Sequence, residues 1–461
     1  MSSITFSGLA TGIDTASIIS KLMDVERAPE KVMQQQQSTY QSQSDAYSKL
    51  ETALNSLQTT MQGMNSLSGL KAMTTSVGDS TVASVTASST AAAGSHTLTV
   101  NTLARSQRQV SVGYADGATF GTGAFTIDDG SGNVKSVNID SSNNTLQGIV
   151  SAINSSGANV TASIINDGSS TPNRLVITGN DTKNYTVDFS GLGTGPTLLD
   201  SSDPSYQAGV NASFTLDGVS MTKTSNTVTD ALSGVTLNLL KEGTTTSFSV
   251  ANDTTSVTNK INAFVTAYNT AITQINAQST YNSDTKTAGV LSGDSTLRTI
   301  QNTLQNLLTS TVSGVSGPYT NLAQLGITSD KSDGTLSVDS TKLSAALSNN
   351  FNGVMDLFTH NVGTFANHAT NEYGIAEQFN KAIQGMVDTA TNNGLLETRI
   401  QGLQKSISGI DDQISSMEVR ISAMQLNLQT QYSNMESIVS SLKSQGSYLT
   451  SALSSSSSTS A

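Results

Sequence analysis

The stretch from Leu396 to Leu442 reads LETRIQGLQKSISGIDDQISSMEVRISAMQLNLQTQYSNMESIVSSL. Apolar residues stand at Leu396, Ile400, Leu403, Ile407, Ile410, Ile414, Met417, Ile421, Met424, Leu428, Met435, Ile438 and Leu442, alternately four and three apart, and only Gln431 interrupts the series. That alternation is the a/d period of a coiled coil. Continuous helix through the span, at about 1.5 Å per residue, is a rod of roughly 70 Å, whereas a globular helix averages about 11–12 residues. A rod of that length needs a partner along its seam.

The partner lies at the other end of the chain. Tyr47, Leu50, Leu54, Leu57, Met61 and Met64 carry the same spacing, and two sequence-distant helices with matching heptads bury each other and bring the termini together. Upstream, Asp14 is a helix N-cap candidate ahead of Ile18, Ile19, Leu22, Met23 and Val25, and Pro29 ends that helix or opens the next. Between Pro29 and the seam the chain is amide-rich, with Gln34 to Gln37, Gln41 and Gln43. At the far end the serine run from Ser454 to Ser458 has nothing to bury and is expected to be flexible unless a partner orders it.

Between roughly Thr74 and Asn252 the period changes to two. Ser95 to Asn101 alternates, as do Phe214 with Leu216, Val235 with Leu237 and Leu239, and Phe248 with Val250, with Gly and Asn as punctuation. Ala124 to Phe189 reads as a self-contained unit of strands and one helix (Leu146, Ile149, Val150, Ile153), closed by a Gly/Pro-rich linker from Gly191 to Pro204. Helical period returns at Val257 to Ile275 and Ser295 to Leu308. A hairpin is expected in Leu325 to Val338 around Ser332-Asp333-Gly334, and a helix at Lys342 to Leu347. The fold expected is α+β and multi-domain: a long antiparallel coiled-coil or helical-bundle stalk built from both chain ends, with β-rich head domains inserted between them.

Composition narrows the function. The 461 residues are long enough for two or three domains. Charged residues are 12% of the chain, about half the usual share of roughly 25%. A net charge of -12 with 22 Lys+Arg disfavours nucleic acid and anionic lipid as partners. With no Cys there is no disulfide, thiolate nucleophile or Cys-based metal site. Met1 to Lys21 shows no basic n-region followed by an apolar core of a secretory signal, and no transmembrane run occurs anywhere. The composition fits an extracellular protein, so a dedicated signal-less export route is expected.

Chemistry-bearing patterns are sparse. Of the three histidines, His96, His360 and His368, the tightest constellation is His360 with Asp356 at i,i+4, and two residues make a surface or capping contact rather than a metal site. Gly191-Leu192-Gly193-Thr194-Gly195 lacks the Lys-Ser/Thr pair of a phosphate loop and is followed by Pro196. No nucleophile elbow or zinc-protease helix occurs. No enzyme activity, cofactor or metal is expected.

The opening Ser7-Gly8-Leu9-Ala10-Thr11-Gly12-Ile13-Asp14-Thr15, followed by Ile18, Ile19, Leu22 and the Glu26-Arg27-Ala28-Pro29 break, closely resembles the start of flagellar filament cap proteins, the hook-associated protein 2 (FliD) family. Phe214-Thr215-Leu216-Asp217-Gly218, Ser225-Asn226-Thr227 with Gly234-Val235-Thr236-Leu237, and Leu291 to Arg298 resemble the family's C-terminal region. Ala124 to Phe189, with Ala152-Ile153-Asn154 and Val160-Thr161-Ala162-Ser163, is similar to an insertion motif shared by flagellin and hook proteins.

The resemblance implies terminal segments (D0, 1–40 and 444–461), a coiled-coil leg domain (D1, 41–73 and 253–443), a β-rich head domain (D2, 74–123 and 205–252) and an inserted head domain (D3, 124–204). It implies a homo-oligomeric ring, usually five-fold in the family, secreted through the flagellar export channel to the filament tip. The implied partners are flagellin, hook–filament junction proteins and a cytosolic export chaperone, with neither nucleic acid nor membrane insertion. Filament contacts are expected from Phe6, Leu9, Ile13, Ile18 and Leu22, and chaperone contacts from Ile421, Met424, Leu428, Met435, Ile438 and Leu442. A junction protein or flagellin is the alternative within the class, and a surface adhesin the alternative outside it.

Overall fold

The computed structural model describes residues 11–282, 286–363, 369–388 and 394–457. Its helices are α1 (Thr15–Glu26), α2 (Ala28–Gln62), α3 (Leu67–Leu70), α4 (Leu146–Ser155), α5 (Thr254–Ser279), α6 (Ser295–Thr309), α7 (Ser340–Asn349), α8 (Phe351–Thr359), α9 (Ile375–Val387) and α10 (Leu395–Ser457). The chain divides into a helical unit, made of the residues up to Ser66 and from Thr258 onward, and a β-rich unit, Leu67–Val257.

In the helical unit, Asp14 caps α1 by accepting a hydrogen bond from the Ser17 amide at 3.0 Å. Arg27 terminates α1, and Pro29 sits in the first turn of α2, where a missing N–H leaves no bond unmade, so the proline opens the second helix. The amide-rich segment continues as helix. Gln36 donates to the Tyr40 hydroxyl at 3.1 Å and Gln41 to Asp45 at 2.8 Å, both at i,i+4, and Gln37 reaches across to Asp411 of α10.

Helix α10 has 63 residues, so at about 1.5 Å per residue it is roughly 95 Å long, beyond the 70 Å expected from its seam. It carries on through Ser454–Ser457, where the sequence predicts a loose tail. The chain offers no proline there, and extending an existing helix is far easier than nucleating one.

The core of the helical unit gathers Phe264 and Tyr268 of α5, Leu297, Ile300 and Leu304 of α6, and Phe379 and Ile383 of α9, all buried. Phe264 and Phe379 meet edge to face at 5.4 Å between centroids. The expected hairpin forms from Ile327–Ser329 and Leu336–Val338. Asn269 of α5 clamps it, donating to the Leu336 carbonyl at 2.9 Å and accepting from the Leu336 amide at 2.6 Å.

The β-rich unit contains β1 (Met73–Val77), β2 (Ala83–Ala87), β3 (Gly94–Thr102), β4 (Arg108–Val110), β5 (Gly123–Asp128), β6 (Val134–Ile139), β7 (Val160–Asn166), β8 (Asn173–Gly179), β9 (Thr186–Asp188), β10 (Ala212–Leu216), β11 (Val219–Lys223), β12 (Thr227–Leu232), β13 (Val235–Leu239) and β14 (Thr244–Asn252). One core lies within the sheets β1-β14-β3-β10-β11 and β12-β13-β2. The residues alternating in the sequence, Phe214, Leu216, Val235, Leu237, Leu239, Phe248 and Val250, are all buried in it. Asp217 and Gly218 turn β10 into β11 with φ of 49° and 83°, the two left-handed positions that a tight hairpin turn demands.

A second core joins β4-β8-β7, β6-β5-β9 and α4. Here two expectations need correction. The stretch from Gly191 to Pro204 is not a linker. Leu192 is buried in this core, the Gly121 amide donates to the Thr194 carbonyl at 2.7 Å, and the Leu199 amide donates to the Val110 carbonyl at 2.8 Å. A Cβ on Gly191 would meet the Ala124 carbonyl oxygen at 1.9 Å, so glycine there permits close backbone packing and does not mark looseness. The body also starts earlier than residue 124, because β4 pairs with β8 and Phe120 is part of the core.

Candidate functional site

The paired chain ends are held in one antiparallel register. Thr11 donates from its amide to Glu436 at 3.3 Å and also bonds it through its hydroxyl. Ile19 and Met23 of α1 pack with Ile421 of α10, Gln37 meets Asp411, and Tyr47 lies beside Arg399. As one index climbs the other falls in step, so a single alignment runs from the start of α10 to Glu436.

The end of the pairing near the start of α10 is sealed. Tyr47, Leu50, Leu54, Leu57, Met61 and Met64 are at most 2% exposed. Opposite them on α10, Leu396, Ile400, Leu403 and Ile410 are buried and Ile407 half-buried. Polar groups set the register here. Asp294 caps α6, accepting from the Thr296 amide at 2.7 Å and the Leu297 amide at 3.3 Å, and pairs with Arg399 of α10 at 3.2 Å. Burial works to raise the Asp294 pKa, but the Tyr47 hydroxyl, the two capping amides and Arg399 outweigh it and hold the carboxyl below its ordinary value. Burial first, then the neighbouring Asp294 carboxylate, pushes the Tyr47 hydroxyl up to about 12. Sequence reading missed this node, because its members are 247 and 105 positions apart; the visible hint was Asp294 one residue ahead of a helical run.

The other end is open. Ile421 is 1% exposed, but Ile414, Met417, Leu428 and Met435 are only half-buried, and Met424, Ile438 and Leu442 are 42%, 62% and 59% exposed. The exposed stripe continues through Tyr448, Leu449 and Leu453, which were not expected, although Leu449 stands one heptad past Leu442. On α1, Ile19 and Met23 turn inward, while Ile18 and Leu22 face out and Ile13, just ahead of the helix, is also exposed. Phe6 and Leu9 lie outside the described residues. Between α1 and α10 runs a cleft of about 480 Å³, floored by Ile19, Met23 and Tyr432 and rimmed by Arg27, Gln429 and Glu436. Such a surface can take up helical or extended apolar segments and release them, since amides and isolated hydrocarbons anchor weakly.

The other chemical candidates are structural contacts. His360 follows α8 and pairs with Asp356 at 3.0 Å, whose second oxygen accepts from the Ser316 amide at 2.6 Å. His96 pairs with Asp217 at 2.7 Å and stacks on Phe248. His368 lies outside the described residues. Among the described residues no three His, Asp or Glu side chains are placed to hold a metal, and no helix is long and apolar enough to cross a membrane.

Comparison with known proteins agrees with this arrangement. The sequence profiles of the flagellar hook-associated protein 2 N-terminus and C-terminus match residues 11–107 and 209–444. The chain is 30% identical to the B-type flagellar hook-associated protein 2 of Pseudomonas aeruginosa, over 76% of each chain. It is also 30% identical to the flagellar hook-associated protein 2 of Escherichia coli K12, over 77% of this chain and 80% of that one. Among solved structures, the D1-D2-D3 domains of the flagellar cap protein FliD from Escherichia coli superpose with a TM-score of 0.63 at 31% identity, over 78% of this chain and 99% of that one. With the paired termini, the β-rich insertion and both terminal profiles in agreement, this chain belongs to the flagellar hook-associated protein 2 family.

Proposed function

We propose that this protein is the filament cap at the distal, extracellular tip of a bacterial flagellum, acting as a structural assembly factor. The observation that carries the reading is the uneven helix pairing: one end buries nearly all of its seam, while the other leaves an apolar stripe on both α1 and α10. The family membership supplies the setting for that stripe.

In this reading the chain assembles into a ring, five-fold as is usual in the family. Segments 1–40 and 444–461 form the terminal part, 41–73 with 253–443 the leg, and the β-rich unit the plate. Ile13, Ile18 and Leu22 engage flagellin or the hook–filament junction proteins, together with Phe6 and Leu9. Exported flagellin folds beneath the plate and inserts into the filament. Before export, a cytosolic chaperone covers Met424, Leu428, Met435, Ile438 and Leu442, with Ile421 exposed to it once α1 lifts away. That hands the stripe from one partner to the next without its meeting water.

A strain deleted for the gene tests the role: flagellin monomer in the medium with no filaments is expected, and normal filaments would overturn it. Chaperone binding is tested by truncation at Asn434, which is expected to abolish it; full retention would overturn that part alone.

A further inference from the structure

The sulfur chemistry of the open end supports a separate conclusion. The chain has twelve methionines and no cysteine. Met61, Met64, Met355 and Met386 are buried in the helical unit at 0–5% exposure. By contrast, Met33, Met417 and Met435 are half-buried and Met424 is 42% exposed, all of them on the open stretch of the pairing. Met33 and Met417 share a depression of about 510 Å³ with Asp412, Gln413, Ser416 and Arg420, so reagent can reach them. Met417 also packs on the small cluster of Ile19, Met23 and Ile421 that holds α1 to α10.

We propose that Met33, Met417, Met424 and Met435 are a methionine oxidation site for hydroperoxides, and that its modification releases α1 from α10. The thioether sulfur attacks one peroxide oxygen, the O–O bond breaks, and an S–O bond forms. Sulfur loses two electrons, and the peroxide leaves as water or an alcohol. The product is a polar, chiral sulfoxide in place of a flexible apolar side chain, a change that sulfoxide reductases reverse. At Met417 the new oxygen must either enter the apolar cluster or stay in water, and staying in water pulls the side chain away from Ile19 and Met23. With Met417 withdrawn, the cluster that docks α1 on α10 loses part of its wall and the helix lifts. Met23, 5% exposed at first, then becomes reachable and oxidises after those four and ahead of the methionines buried in the bundle. This conclusion rests on burial and packing alone and stands whether or not the chain caps a filament.

The test is graded hydrogen peroxide treatment of the full-length chain, with peptide mass spectrometry for sulfoxide and hydrogen exchange for helix opening. Met33, Met417, Met424 and Met435 are expected to oxidise before Met61, Met64, Met355 and Met386, with Met23 following the first group. Exchange over Thr15–Glu26 should accelerate about tenfold, equivalent to about 1.4 kcal/mol, while Tyr47–Gln62 stays unchanged. A Met33→Leu, Met417→Leu, Met424→Leu, Met435→Leu variant should keep slow exchange in peroxide. Oxidation that reaches Met355 or Met386 equally early, or α1 exchange that stays constant once Met417 is fully oxidised, would overturn the proposal.

Discussion

The two ends of the α2–α10 pairing share one spacing rule and reach opposite outcomes. From Tyr47 to Met64 every seam residue is buried, whereas from Met424 to Leu453 the apolar side chains on α10 are largely exposed. The difference lies in what surrounds the pair. At the sealed end α9 packs on both helices and α6 is pinned to α10 through Asp294 and Arg399, which makes a bundle. Among the described residues, α10 at the open end has only α1 and the first turns of α2 beside it, too thin a layer to cover its apolar face. A heptad pattern therefore states an appetite for a partner, and the neighbours decide whether the same chain satisfies it.

The largest effect should come from the sealed end. Leu54→Ala, at 0% exposure, is expected to cost about 2–5 kcal/mol, read as an earlier thermal transition of the helical unit with the β-rich transition unmoved. A loss below about 1 kcal/mol would mean that this end is no better packed than the other.

Next comes the polar node. Asp294→Ala removes the α6 cap and the Arg399 pair and should cost about 1–2 kcal/mol at neutral pH. The Asp294 pKa is lowered in the fold, so its contribution is complete above the ordinary carboxylate value of about 4 and disappears as pH falls through the lower folded value. Denaturant titrations of wild type and variant should therefore converge in strong acid; a gap that stays constant would deny the charge any part.

Ile421→Ala tests the small cluster. It should leave the main transition nearly in place while speeding exchange over Thr15–Glu26, because α1 docks locally and opens without unfolding the bundle. The smallest effect on stability belongs to Ile438→Ser with Leu442→Ser, expected within about 0.5 kcal/mol of wild type. In the capping reading the same pair abolishes chaperone binding or filament growth. A variant that is equally stable and fully active would leave the exposed stripe without a role.

Much of this was legible in the residues themselves. Period 3.5 at Leu396–Leu442 and Tyr47–Met64, period 2 at Phe214–Leu216 and Val235–Leu239, and the Asp14 cap all follow from local stereochemistry, which repeats along the chain and so can be read from it. The glycine-rich stretch after Phe189 misled, because glycine serves both a loose linker and the closest backbone packing, and only the atoms opposite Gly191 tell the two apart. The serine run misled in the opposite direction, since cooperativity carries α10 past residues that would not start a helix.

The amino-acid sequence on its own determined which segments are helix and strand and that both ends carry matching apolar seams, because those properties depend on spacing along one chain. Only the tertiary structure decided where the seam is filled, since burial depends on elements hundreds of residues away. It alone brought Asp294 to Arg399, left Ile438 and Leu442 bare, and placed Met417 where water and oxidant can reach it.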